Sequence, residues 1–168
     1  LGLGDVTGIG LLGEKQGIIP SHEWKLANQG RVWTPGETVV SSIGQGYVLA
    51  TPLQLAVMTA RLANGKQAVA PRLVKSNGDA VPDFSPLDID PYALAIIREG
   101  MFEVMNGRFG TARNYNLDRS LGGMAGKTGT VQVKLITKAQ REVGIVNNIA
   151  RPWAERDHAL FVPYAPAK

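Results

Sequence analysis

The sequence predicts a mixed fold of the α/β class, α+β in type, with helices gathered mid-chain and strands in the last third. Three observations carry this. Two stretches open like capped helices, at Thr51 and at Asp90. Two others, Gly126 to Leu135 and His158 to Tyr164, alternate like strands. Finally, 44% hydrophobic and 19% charged residues over 168 positions is the composition of one ordinary globular domain.

Taken in order, residues 1–50 read as glycine-rich extended segments and loops. Gly8, Gly10 and Gly13 formally satisfy a dinucleotide fingerprint, but that motif must open a helix, and Gly17 and Pro20 deny one. Ser21 to Gly36 reads as a polar connector with one helical turn around His22–Leu26, pinned by Trp24 and Trp33. Pro35-Gly36 signals a turn, and Gly44 and Gly46 flanking Gln45 signal a bend.

Residues 51–118 are the helical part. Thr51 as N-cap, Pro52 at the first position and Gln54 three after the cap form a capping box, and Gly65 ends that helix. Its apolar residues surround it (Leu53, Ala56, Val57 and Ala60 on one side; Leu55, Met58 and Leu62 on another), so it is expected buried. A short strand is expected over Val69–Lys75, then a Ser76–Asp79 turn. Asp90 caps a second helix that Gly107 stops, with Leu94, Ile97, Met101 and Val104 inward and Arg98, Glu99 and Glu103 outward. A further short helix is expected near Gly110–Arg113. Residues 119–168 hold a glycine-rich strand, a polar stretch from Thr137 to Trp153 without periodicity, and a last strand. Pro163 confines that strand to an edge or a bend.

The net charge of +4 suits an anionic partner without choosing one, and no basic cluster interleaved with aromatics argues for nucleic acid. Cysteine is absent, which excludes thiolate chemistry and disulfides. His22 and His158 lack ligand spacing, so neither a metal nor a cofactor is expected.

The chemistry gathers at Gly126-Lys127-Thr128-Gly129-Thr130. An ammonium and two hydroxyls beside glycine, at the start of an alternating segment, suit an edge that docks an extended anion. A P-loop needs glycine five residues before Gly126, where Leu121 stands, and a helix afterwards, where the β-branched Thr-Gly-Thr-Val continues. A glycine-rich hairpin without chemistry fits the same residues.

Set in order, several short segments resemble a known family. They are Thr7-Gly8-Ile9 with Gly13-Glu14, Pro35-Gly36-Glu37-Thr38, Ser42-Ile43-Gly44-Gln45-Gly46, Thr51-Pro52-Leu53-Gln54-Leu55-Ala56, Gly126-Lys127-Thr128-Gly129-Thr130, and His158-Ala159-Leu160-Phe161 with Tyr164-Ala165-Pro166. Together they resemble the later part of the transpeptidase domain of class B penicillin-binding proteins, nearest to penicillin-binding protein 2 of the elongation machinery. The resemblance implies a penicillin-binding-protein/serine β-lactamase-like fold, an antiparallel sheet flanked by helices, only partly present here. It implies acyl transfer between D-Ala-D-Ala stem peptides of peptidoglycan, with β-lactams as mimics. Lys127 would serve the proton network and electrostatics. Thr128 and Thr130 would hold the substrate carboxylate along the Gly129 backbone, and the Thr130 N–H would form half of an oxyanion hole. An ideal pleat places Lys127 and Thr128 on opposite faces, so both serve one site only if the edge is twisted or the substrate lies along it.

The resemblance also exposes what is absent. None of Ser21, Ser41, Ser42, Ser76, Ser85 and Ser120 has lysine three residues on or asparagine two residues on, so neither Ser-x-x-Lys nor Ser-x-Asn occurs. Pro163 stands where glycine is usual. The expectation is a piece of an enzyme, inactive alone, whose partners are the upstream part of the same enzyme and, by resemblance, an elongation-machinery glycosyltransferase. The expected location is the periplasmic face of the bacterial cytoplasmic membrane. A non-catalytic β-lactam or peptide-binding module, a D,D-carboxypeptidase relative and a nucleotide binder are the competing readings.

Overall fold

A computed structural model describes residues 1–74, 83–133, 136–144 and 146–167. These residues form two compact units, one of 1–100 with Ala167 and one of 101–166.

In the first unit the glycine-rich start has no helix, as the sequence implies. Its two family segments prove to be one device. The Glu14 carboxylate accepts from the Thr7 N–H at 2.6 Å and from the Thr7 hydroxyl, and these bonds hold its pKa below the usual carboxylate range. Ile18 and Leu49 exchange backbone bonds of 2.7 and 2.9 Å, fastening the segment to the loop before Thr51.

The expected single turn is a full helix, α1 (His22–Gln29), capped by the Ser21 hydroxyl on the Trp24 N–H and closed by Gly30 in the left-handed region. Trp24 packs at a tilt on Tyr47 and Trp33 stacks on His22. The turn expected at Pro35-Gly36 is instead the opening of α2 (Pro35–Ser42). Thr34 precedes it, Pro35 occupies the first position, and the Glu37 carboxylate accepts from the Thr34 N–H at 2.7 Å. A proline that starts a helix and one that starts a turn look alike in isolation; Glu37, three after the threonine, distinguishes them. The bend at Gly44 and Gly46 is present, both glycines having positive φ.

Helix α3 (Pro52–Asn64) carries the expected capping box and a left-handed Gly65. The helix is not buried all round as expected: Gln54, Val57, Thr59 and Leu62 are buried while Ala56 and Ala60 are exposed. Gln54 is wholly buried because its amide donates to Asp5 O at 2.6 Å and Gln16 O at 2.7 Å. It caps its own helix and ties down the chain start. The strand expected from Val69 is absent among the described residues; backbone pairing falls instead between Gln67 and Pro86. Proline at 71 has no N–H to offer a ladder there. Lys75 and the Ser76–Asp79 turn lie outside the described residues.

Asp90 accepts from the Ala93 N–H at 2.8 Å and opens α4 (Pro91–Asn106), within which the division between units falls. Leu94, Met101 and Met105 are its buried residues, whereas Ile97 is exposed. Arg98 does not face outward. Its guanidinium donates to Leu62 O at 2.8 Å and Ala63 O at 2.6 Å, satisfying carbonyls at the C-terminal end of α3 that have no helical partner.

In the second unit, the helix expected near Gly110 is one 3-10 turn, Arg113–Tyr115, followed by another at Arg119–Leu121. Strand β1 (Ala125–Val131) stops before Gln132, shorter than the alternation implies; Lys134 and Leu135 lie outside the described residues. The polar stretch after it is not featureless. Thr137 and Gln140 form a capping box that opens α5 (Lys138–Val143), and 3-10 turns follow at Asn148–Ala150 and Trp153–Glu155. Strand β2 (His158–Tyr164) pairs antiparallel with β1, Ala125 opposite Tyr164 and Val131 opposite His158. Pro163 stands opposite Gly126, and among the described residues β2 pairs only with β1, so the missing N–H falls on an edge strand.

Candidate active-site strand

The Lys-Thr-Gly strand starts from an anchored corner just before it. Gly122 and Gly123 adopt positive φ, and a Cβ at Gly122 would stand 2.5 Å from the Pro166 Cβ, so only glycine passes this corner. Met124 is then gripped on both backbone groups. Its N–H donates to Asn116 Oδ1 at 3.0 Å, and its carbonyl accepts from Asn106 Nδ2 at 2.9 Å. The two asparagines lock each other, Asn116 Nδ2 donating to Asn106 Oδ1 at 2.6 Å. Ala125, the next residue, is fully buried, and Met105 and Ala112 are nearly so. The strand thus leaves a rigid corner and emerges into solvent. Lys127, Gly129 and Thr130 are exposed and Thr128 is half-buried.

The paired strand sets the two faces. Thr128 lies opposite Phe161 and Thr130 opposite Ala159, while Lys127 lies opposite Val162 and Gly129 opposite Leu160. Lys127 and Thr128 therefore point to opposite faces, as the pleat demands. The flexible lysine stem partly overcomes this: its ammonium donates to the Thr128 carbonyl at 2.8 Å. Thr130, two residues on, sends its N–H and C=O to the same side as those of Thr128. The Thr128 hydroxyl meets the Thr111 hydroxyl at 3.0 Å.

The two glycines of the motif differ in kind. A Cβ at Gly126 would come within 3.1 Å of the Pro163 Cα, so a side chain there would press on the partner strand. A Cβ at Gly129 would meet only the Leu160 Cβ, at an ordinary 3.7 Å. The exposed backbone at Gly129 is not required by packing within the sheet.

No helix follows Thr128, so the arrangement is not a P-loop. Among the described residues no group of His, Cys, Asp and Glu could hold a metal ion. A cavity of about 490 Å³ lies elsewhere in the second unit, between α5 and the 3-10 turns, lined by Ala139, Val143, Val146 and Pro152 among others. It shares no residue with β1. Asn106, Asn116 and Thr111 are the residues the sequence did not announce, since nothing local marks a side chain whose partner stands 8 to 18 positions away.

The family described as penicillin binding protein transpeptidase domain matches residues 1–168. Peptidoglycan D,D-transpeptidase MrdA of Acinetobacter baumannii is 38% identical over 177 residues, covering 99% of this chain and 25% of that protein. MrdA of Escherichia coli K12 is 34% identical over 173 residues, covering 98% of the chain and 26% of the relative. The chain thus spans about a quarter of the length of these curated relatives. Among solved structures, Pseudomonas aeruginosa PBP2 in complex with WCK 5153 superposes with a TM-score of 0.75 at 40% identity, covering 99% of this chain and 34% of that one. Helicobacter pylori PBP2 in complex with MreC gives 0.76 at 31% identity, with 99% and 28% covered. Matched from end to end by one family and by named PBP2 structures, this chain belongs to the transpeptidase domain family of the penicillin-binding proteins, in its PBP2 branch.

Proposed function

We propose that this chain supplies the substrate-docking strand of a peptidoglycan D,D-transpeptidase, the activity for which the MrdA relatives are named. One observation carries the reading: an ammonium, two hydroxyls and an open glycine backbone lie along one strand that an anchored corner holds in place, all exposed but the half-buried Thr128. Such an edge accepts an extended peptide by strand addition and its terminal carboxylate by charge-assisted hydrogen bonds.

In the reaction, a serine outside these 168 residues attacks the carbonyl between the last two D-alanines of a stem peptide. The amide C–N bond breaks, D-alanine leaves with the proton, and an amine of a neighbouring strand resolves the acyl-enzyme. Thr128 and Thr130 donate their hydroxyls to the carboxylate, with the Gly129 backbone alongside. The Thr130 N–H stabilises the developing oxyanion, and Lys127 supports the field and proton network around the serine. β-Lactams acylate the same serine. Placement at the periplasmic face of the cytoplasmic membrane and pairing with a glycosyltransferase belong to the same reading. An assembled state is consistent with the relative solved with MreC and with a neighbour from a peptidoglycan synthase complex.

The test is labelling by a fluorescent penicillin. In the full-length protein Lys127→Ala is expected to lower the acylation rate by about a hundredfold, with the fold intact. The 168-residue chain alone should take no label, since it holds no Ser-x-x-Lys. Covalent label on the chain alone, or undiminished labelling of K127A, overturns the proposal.

A further inference from the structure

We infer that Thr111 is a positioning residue for substrate binding: it fixes the direction in which Thr128 donates its hydroxyl hydrogen. This rests on the assignment of Thr128 to the substrate carboxylate made above. The two hydroxyls are 3.0 Å apart, and either could donate to the other. Each has one hydrogen and two lone pairs. If Thr128 donates to Thr111, its hydrogen is used up and the carboxylate finds only lone pairs, which repel it. If Thr111 donates to Thr128, the Thr128 hydrogen is left for the incoming anion. An anion therefore selects the order Thr111 to Thr128 to carboxylate, and in that order each bond polarises the next.

Thr111 is held for this task by its neighbours. A Cβ at Gly110 would collide with the carbonyl oxygens of Val104 and Glu103, so the chain comes as close to α4 as only glycine permits. On the other side, Ala112 is nearly fully buried and its N–H donates to Val104 O at 3.1 Å. The intervening Thr111 is exposed, and its hydroxyl is presented to the strand by a pinned loop. A threonine kept in solvent between two anchored small residues has no packing duty that valine could not perform.

The experiment compares two ligands on the full-length enzyme: a penicillin with its free carboxylate and the methyl ester of the same penicillin. Thr111→Val is expected to lower the acylation rate constant for the acid by about threefold to tenfold, the span of one hydrogen bond acting through a neighbour. The ester should be unaffected, and Thr111→Ser should restore the acid. The acid-to-ester ratio is insensitive to how much of a variant is folded, and Thr111→Ala provides the same ratio from a second substitution. An unchanged ratio in both T111V and T111A overturns the inference, as does an equal loss for both ligands. Thr128→Val separates the two levels. If it lowers the ratio while T111V does not, only the role of Thr111 fails; if it too leaves the ratio unchanged, the carboxylate site fails with it.

Discussion

Two lysines divide the chemistry of this chain. Lys25, in the first unit, is nearly fully buried and fully engaged: its ammonium donates to Glu37 Oε2 at 2.6 Å and to Val32 O at 2.7 Å. Lys127, on β1, is exposed, and among the described residues it meets no carboxylate, only the Thr128 carbonyl. A buried cation must find its counter-charge within the fold, because desolvation is otherwise too costly. An exposed cation beside open backbone keeps donors in hand for an anion that arrives later. The same contrast separates the threonines. Thr51 is spent on a helix cap, whereas the Thr128 and Thr130 side chains cap no helix. Polar groups consumed by the fold and polar groups left at its surface are the signs of scaffold and site respectively.

Matched substitutions sharpen that contrast most strongly at the lysines. Lys25→Met leaves the Glu37 carboxylate without its cation and should lower the melting temperature by roughly 5 °C or more. Lys127→Met should leave it within about 1 °C, as for other exposed positions. Thermal unfolding followed by circular dichroism decides; equal losses would erase the distinction between the two residues.

A smaller effect separates the glycines of the motif. Gly126→Ala forces β1 and β2 apart at Pro163 and should cost about 1–2 kcal/mol, whereas Gly129→Ala should change stability by less than about 0.5 kcal/mol. Denaturant titration measures both. A destabilised Gly129→Ala would mean that the sheet itself, and not a ligand, requires that glycine.

The smallest effect belongs to acid. The hydrogen bond from Lys25, then that from Thr34, holds the Glu37 pKa down at about 2 against an ordinary 4.5. A depressed carboxylate stabilises the folded state above its unfolded pKa, so the contribution is complete above about pH 4.5. It drains away as the pH falls towards 2. Glu37→Gln should flatten the stability curve across that window; an unaltered slope would show that the pair contributes nothing to folding.

Legibility in the sequence followed the range of the interaction. The cap at Thr51 and the strand at His158–Tyr164 were readable because their signals are local: a threonine, a proline and a glutamine within four positions, or an alternation of two. The same capping signature stands at Thr34–Glu37 and Thr137–Gln140, but there Pro35-Gly36 also suits a turn and the polar composition also suits a loop. Arg98 deceived because a charged residue on a helix ordinarily faces water, and its carbonyl partners are 35 and 36 residues away. At the candidate site, Lys127, Thr128, Gly129 and Thr130 were legible as a motif, whereas their supports at Asn106, Thr111 and Asn116 were not.

By itself the sequence determined the short-range facts: where helices are capped, where backbone must bend at glycine, which residues bear charge and hydroxyl, and which nucleophile motifs are missing. Only the tertiary structure decided which of those groups are consumed and which stay available. Availability depends on what stands within 3 Å of a side chain in space, and chain neighbours alone do not fix that.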